Sequence, residues 1–186
     1  MANRHSALTS HYPQGLHGRP GEPGVQLQEI TGLNLRQVAA WPETVQSVGA
    51  TLASAVGIAK APGPGLAMSG TQATALRVEP LKWWLLDCSE LSLDPQVGTS
   101  LDLSHSRTRV LITGPDAGLC LSRLLPIDLR EKNFSIGHVA SSGIHHVGVT
   151  LWRSRRGYEL FIPRGFALSI WELLLETAEQ FGSEVR

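Results

Sequence analysis

The sequence predicts an α+β fold with mostly antiparallel sheets and packed helices. Segments typical of strands and helices mix along the chain without the regular alternation that a parallel sheet needs. Of the 186 residues, 42% are hydrophobic, which is enough to fill a core. We expect a single domain over residues 25–186, and the repeated order of strands and helices leaves open a division into two related halves, 25–100 and 101–186.

Residues 1–24 are predicted to form an extended N-terminal arm in a coil conformation. Glycines recur there at every third position, but the stretch is too short for a collagen helix. Its histidines, His5, His11 and His17, lack the fixed geometry that a metal site requires. The arm has no apolar stretch typical of a secretory leader. An arm of this kind, rich in glycine and proline, could also wrap around a partner and become ordered there.

The first half begins with two predicted strands, residues 25–30, in which apolar and polar side chains alternate, and 33–41, with apolar side chains at Leu33, Leu35, Val38 and Trp41. A helix is then predicted to start at Pro42, because proline is favoured in the first helical turn. Its apolar positions recur at helical spacing until Gly57 ends it.

Two further strands are predicted after the turn-rich linker at residues 61–65. They cover residues 73–79 and 82–87 and are separated at Pro80, which cannot donate a backbone hydrogen bond. Trp83 and Trp84 are adjacent, so they should point to opposite faces of the second strand.

The second half repeats this order. A strand at residues 107–113 leads through residues 114–116 into a helix that Pro126 closes. Three strands are predicted next, at residues 136–141, 144–152 and 158–163, with a polar hairpin loop at 153–157. A last helix over residues 166–181 has an apolar stripe, and its glutamates should face water.

The charge content is low. There are 16 Lys plus Arg and 16 Asp plus Glu, so the formal net charge is zero and 17% of the residues are charged, against about 25% in a typical domain. Neutrality argues against a nucleic-acid partner, and the apolar runs are too short to span a membrane. We expect a cytoplasmic protein with Cys88 and Cys120 in the core, and a surface that is partly buried against other proteins.

No catalytic, cofactor-binding or metal site is predicted in this chain. His145 and His146 are read as strand neighbours that diverge, so they cannot hold one metal ion together. Asp102, Ser104, His105 and Ser106 have the residue types of a nucleophilic triad, but the chain has no G-x-S-x-G turn.

Two other segments have simpler interpretations. Residues 113–118 (TGPDAG) lead from a strand into a helix but lack a P-loop lysine, so they are read as a helix start. Arg153, Arg155, Arg156 and Arg164 form a positive cluster around Glu159, for which a solvated hairpin tip is the preferred interpretation.

An ordered set of motifs nevertheless resembles the gamma subunit family of heterotetrameric sarcosine oxidases, from about residue 77 to 181. The motifs are RVEPLKWWLL at 77–86, DLSHSR at 102–107, TGPDA at 113–117, LPIDL at 125–129, GHVA at 137–140, LWR at 151–153, FIPRGFA at 161–167 and WE at 171–172. More distantly, GPDA and GYEL at 157–160 are similar to the folate-binding aminomethyltransferase family. That similarity implies an α+β fold with related halves. Where that family has acidic residues, this chain has SGIHH at 142–146, so no folate-binding residue is carried over.

The resemblance implies a noncatalytic gamma subunit that supports assembly of the complex with alpha, beta and delta subunits. FAD, FMN, NAD, tetrahydrofolate and zinc are then expected in those partners, and the complex would demethylate sarcosine oxidatively to glycine. The alternatives are a free-standing folate-binding protein similar to the aminomethyltransferases and, more weakly, a metal-binding module using His145, His146 and the histidines of the arm.

Overall fold

The computed structural model describes residues 5–88 and 91–186 and has a mixed α+β architecture, as predicted. The first four residues of the predicted arm lie outside the described residues. The strands described are β1 (Gly15–His17), β2 (Val25–Ile30), β3 (Leu35–Ala40), β4 (Ala67–Ser69), β5 (Thr74–Glu79), β6 (Lys82–Leu86), β7 (Gly98–Asp102), β8 (Arg107–Thr113), β9 (Val139–Ile144), β10 (Val147–Arg153), β11 (Tyr158–Pro163) and β12 (Ser183–Val185). The α-helices described are α1 (Val45–Val56), α2 (Ala117–Ser122) and α3 (Ala167–Glu179).

The chain divides into two compact units. Unit 1 comprises the chain through Thr31, His105–Ile136 and Ser141–Arg186, and unit 2 comprises Gly32–Ser104 and Gly137–Ala140. The predicted arm at 1–24 and the predicted halves, 25–100 and 101–186, stay predictions.

Unit 1 is built on a seven-stranded sheet in the order β1-β12-β2-β8-β11-β10-β9. Its strand pairs include the parallel pair β12 and β2, whereas β2, β8, β11 and β10 pair antiparallel. Helix α3 packs on β11 and β12, and α2 packs on β2. On one face of the sheet, Leu27 is opposite Ile112 and Val110 is opposite Leu160, and these apolar side chains are all fully buried.

Unit 2 is built on a five-stranded antiparallel sheet in the order β4-β5-β6-β3-β7. Val48, Leu52 and Val56 of α1 lie in one core cluster with Trp83 and Leu85 of β6. Trp84 points the other way, as expected, and donates its indole N–H to Gln37 at 3.3 Å. The helix ends where predicted, at Gly57, which has a left-handed φ of 76°.

Several predicted elements differ in detail. Pro42 opens a 3₁₀ turn, Pro42–Thr44, and the α-helix begins only at Val45. The expected strand at 144–152 is wrong at its start, because His145 and His146 form the turn between β9 and β10. The coil expected for the arm contains β1, which pairs with β12. β4, β7 and β12 were not predicted, since two of them have three residues and β7 lacks alternating apolar side chains.

Candidate functional site

A cleft of 680 Å³ in unit 1 has room for a ligand. It lies where four segments converge: the end of β8 with the following turn, α2, residues 127–131, and the turn between β10 and β11. The volume is in the range of typical ligand pockets. These segments contain the TGPDA, LPIDL and LWR motifs that are separated in the sequence.

Arginine dominates the charge of this cleft, since Arg130, Arg153, Arg155 and Arg156 line it with the carboxylates of Asp128 and Glu131. Arg130 donates its Nε–H to Asp128 Oδ1 at 2.8 Å, and the side-chain amide of Asn133 also bonds this carboxylate. The hydrogen bonds from Arg130 are the main cause that lowers the pKa of Asp128 far below its usual range. Asp128 is therefore ionised and already paired.

Arg153 is held against Tyr158 on the wall of the cleft. Its guanidinium carbon lies 4.3 Å from the centre of the Tyr158 ring, within the distance of a cation–π interaction. The buried Nε of Arg153 has no hydrogen-bond partner among the described residues. The Tyr158 hydroxyl donates to the carbonyl of Leu129 at 3.3 Å. Burial raises the pKa of Tyr158, against a smaller opposing effect of the Arg153 charge, so the phenol is neutral at pH 7.

The turn that carries Arg155 and Arg156 is held by short backbone contacts. Ser154 N–H donates to the Gly157 carbonyl at 2.9 Å, and Arg156 N–H donates to Ser154 Oγ at 3.1 Å. Gly157 has a φ of 152°, and a Cβ added there would lie 2.7 Å from the carbonyl oxygen of Ile112. Glycine is therefore required at this position, and the turn has a defined shape.

The predicted grouping of the arginines around Glu159 is wrong. Glu159 is buried and bonds Arg109 of the neighbouring strand. Arg164 is also separate from the cluster, because it donates to the backbone carbonyl of His5 at 2.6 Å. Arg153, Arg155 and Arg156 thus do not pair with Glu159, the carboxylate expected between them.

A second cavity, of 500 Å³, lies in unit 2 beside α1. Small residues of the helix line it, including Gly49 and Ala53, together with Trp83 and Arg77. The Arg77 guanidinium lies 4.6 Å from the centre of the Trp83 ring. The indole N–H of Trp83 is buried and has no partner among the described residues.

The remaining candidates from the sequence do not form a site together. Ser104 Oγ accepts a hydrogen bond from Leu35 N–H at 3.0 Å and thus supports the backbone. His145 has a φ of 52° and is exposed in a turn. Over residues 5–88 and 91–186, no group of three or more His, Cys, Asp or Glu side chains could hold a metal ion. No helix in this part of the chain is long and apolar enough to cross a membrane.

The cleft is not predictable as a single site from the sequence, because its parts are far apart in the chain. A signal was nevertheless present, because the TGPDA, LPIDL and LWR motifs of these segments belong to the same ordered set.

Comparison with known proteins identifies the family. The chain is 30% identical over 157 residues to the sarcosine oxidase subunit gamma of Corynebacterium sp. (strain U-96), a match that covers 77% of this chain and 74% of the relative. The chain belongs to the sarcosine oxidase gamma subunit family. It is also 29% identical over 94 residues to the gamma subunit from Corynebacterium sp. (strain P-1), of which the match covers 46%. No family model matches the chain.

Two solved structures share the fold of this gamma subunit family member. Heterotetrameric sarcosine oxidase from Corynebacterium sp. U-96 in complex with pyrrole 2-carboxylate contains a chain that superposes with a TM-score of 0.75 at 22% identity, over 96% of both chains. Aminomethyltransferase T of the glycine cleavage system from Bartonella henselae gives a TM-score of 0.63 at 15% identity, over 88% of this chain and 48% of that one. The α+β fold expected from the resemblance to the aminomethyltransferases is therefore confirmed.

Proposed function

We propose that this gamma subunit family member supports the assembly of a heterotetrameric sarcosine oxidase and carries no catalytic group itself. The observation that carries the proposal is the 30% identity to a sarcosine oxidase gamma subunit over most of both chains. The partners are the alpha, beta and delta subunits. Those subunits hold FAD, FMN, NAD, tetrahydrofolate and zinc, and the complex demethylates sarcosine to glycine in the cytoplasm.

The surface supports a role in assembly. Large apolar side chains are exposed on the isolated chain, and a partner that covered them would remove this apolar surface from water. They include Leu16, Trp41, Leu66, Leu101, Leu119, Ile136 and Phe166, each at least 40% exposed. Together with the low charge content, they favour a subunit that is buried in part by other proteins.

The free-standing folate-binding alternative is not favoured. The relatives at 29–30% identity are gamma subunits, whereas the likeness to the aminomethyltransferase, at 15% identity, concerns the fold alone.

The test is co-expression of this chain with the alpha, beta and delta subunits, and a parallel co-expression without it. We expect a yellow complex that contains this chain in gel filtration, and a smaller yield of assembled, active oxidase when the chain is omitted. Recovery of an equal amount of fully active oxidase without the chain would contradict the proposal.

A further inference from the structure

The cleft of unit 1 concentrates positive charge in a chain whose total charge is zero. Four arginines line it against two carboxylates, and Asp128 is already paired with Arg130. Arg153, Arg155 and Arg156 then share the cleft with one further carboxylate, that of Glu131. Such an imbalance attracts an anionic group, and the walls of a cleft strengthen the field.

The Arg153 side chain and the backbone that carries Arg155 and Arg156 are held in position before any ligand arrives. Arg153 lies on the Tyr158 ring, and the turn of Arg155 and Arg156 is fixed by Ser154 and by the requirement for glycine at 157. Binding therefore has to order the exposed side chains of Arg155 and Arg156 but not the turn itself, which limits the loss of conformational entropy. The unpartnered buried Nε of Arg153 still has a hydrogen bond to donate.

The lining also includes apolar side chains, which argues for a polypeptide rather than a simple anion. Leu119 lines the cleft and is 60% exposed, and Ile127 lines it half-buried. An inorganic anion gains nothing from an exposed leucine, whereas a protein segment with an apolar side chain beside its carboxylates covers it. Arginine with apolar neighbours is the composition that protein interfaces favour.

We propose that this cleft docks an acidic segment of a partner subunit, with carboxylates bonded by Arg153, Arg155 and Arg156 and an apolar side chain packed on Leu119. The inference rests on the proposed function, since it names the chemistry of one partner contact within the oxidase.

The test co-expresses the full chain with the other three subunits, purifies the complex, and measures the apparent Kd of this chain by its dissociation on dilution at low and high salt. Arg155→Glu and Arg156→Glu each reverse one exposed charge of the cleft. Arg186→Glu makes the same change at an exposed arginine of unit 1 outside the cleft and is the matched control. We expect the two cleft variants to weaken binding roughly tenfold or more at low salt, with a smaller effect at high salt. The control should bind like the wild type.

Leu119→Ser tests the apolar part separately. It should weaken binding by a factor that salt does not change, because the lost contact is hydrophobic. If the wild type binds and both cleft variants bind equally well, the docking proposal is wrong and the proposed function stands. If the wild type itself does not bind the other subunits, the proposed function fails and the docking proposal fails with it. Circular dichroism of each variant verifies that it is folded.

Discussion

Arg109 and Glu159 form an ion pair in the interior of unit 1, where the Glu159 side chain is 1% exposed. Arg109 Nε donates to Glu159 Oε2 at 2.5 Å, from β8 to the adjacent β11. The guanidinium also lies 5.6 Å from the centre of the Phe161 ring and 5.9 Å from that of Trp152. Two charges have thus been removed from water and depend on each other.

Loss of one member of this pair should lower the free energy of unfolding much more than loss of both. Glu159→Gln leaves the Arg109 charge buried without a counter-ion and should lower the free energy of unfolding by about 3 kcal/mol or more. The double variant Arg109→Met/Glu159→Leu should recover most of that loss. Chemical denaturation of the three proteins measures both effects.

An exposed pair provides the control for this experiment. Glu79 and Lys82 are 2.8 Å apart, with side chains 52% and 39% exposed. Glu79→Gln should cost about 0–1 kcal/mol. Equal losses for Glu79→Gln and Glu159→Gln would show that burial does not set the strength of the Arg109 contact.

Tyr12 attaches the N-terminal residues to α3 and should control how accessible they are to a protease. Its ring stacks on Trp171 at 5.1 Å, and its hydroxyl accepts from Glu29 N–H and donates to the Arg186 carbonyl. Tyr12→Ala should lower the free energy of unfolding by about 2 kcal/mol. It should also accelerate proteolytic cleavage before Val25, and mass spectrometry of the fragments would detect this.

Tyr12→Phe separates the two contributions of this side chain. The ring contact with Trp171 remains and only the hydroxyl bonds are lost, so the cost should be about 1 kcal/mol. A cleavage rate before Val25 that is unchanged in Tyr12→Ala would mean that other contacts hold these residues.

Cys120 should make stability depend on pH in the alkaline range. Burial raises the pKa of the Cys120 thiol to about 11, against a smaller opposing effect of Arg123. The unfolded chain loses this proton near pH 8.5, so above that pH the folded state binds more protons than the unfolded state. The free energy of unfolding should therefore fall as the pH rises from about 8.5 towards about 11.

Comparison with Cys120→Ala isolates this contribution. Urea unfolding between pH 8 and 10.5 should give a steeper decline for the wild type than for the variant. At neutral pH the buried thiol should also resist alkylation until the chain is unfolded. Parallel pH profiles for the two proteins would contradict the expected shift.

His145→Gly should stabilise the protein. His145 occupies a left-handed conformation, φ 52°, in the two-residue turn between β9 and β10, and it is exposed. A side chain makes this conformation costly and glycine removes the cost, so the gain should be about 0.5–1 kcal/mol. His146→Gly is the matched control, because its φ is not positive. A lower melting temperature for His145→Gly would reveal a structural role for the imidazole.

How far the fold follows from local sequence depends on the length of each element. The bounds predicted for β2, β8 and β11 coincide with the observed strands, because each has six or seven residues of recognisable pattern bounded by turn residues. β1 and β12 have three residues each. They are strands only because β1 pairs with β12 and β12 pairs with β2. No local pattern contains that information.

The prediction for the arginine cluster also failed because it depends on how strands pair. Glu159 is near four arginines in sequence but pairs with Arg109, which the chain brings next to it through the antiparallel pairing of β8 and β11. The two-histidine turn is a similar case. A strand pattern that continues through residues 144–152 does not reveal that the chain reverses at His145, since glycine or asparagine usually marks such a turn.

The place of β12 in the seven-stranded sheet sets an order on folding during synthesis. β12 pairs on one side with β2, whose first residue, Val25, lies opposite Ser183, and on the other side with β1. The sheet of unit 1 can therefore be completed only after the ribosome has released residues 183–185. Unit 2 draws most of its residues from the continuous stretch Gly32–Ser104, so this stretch can fold while the rest of unit 1 is still being translated.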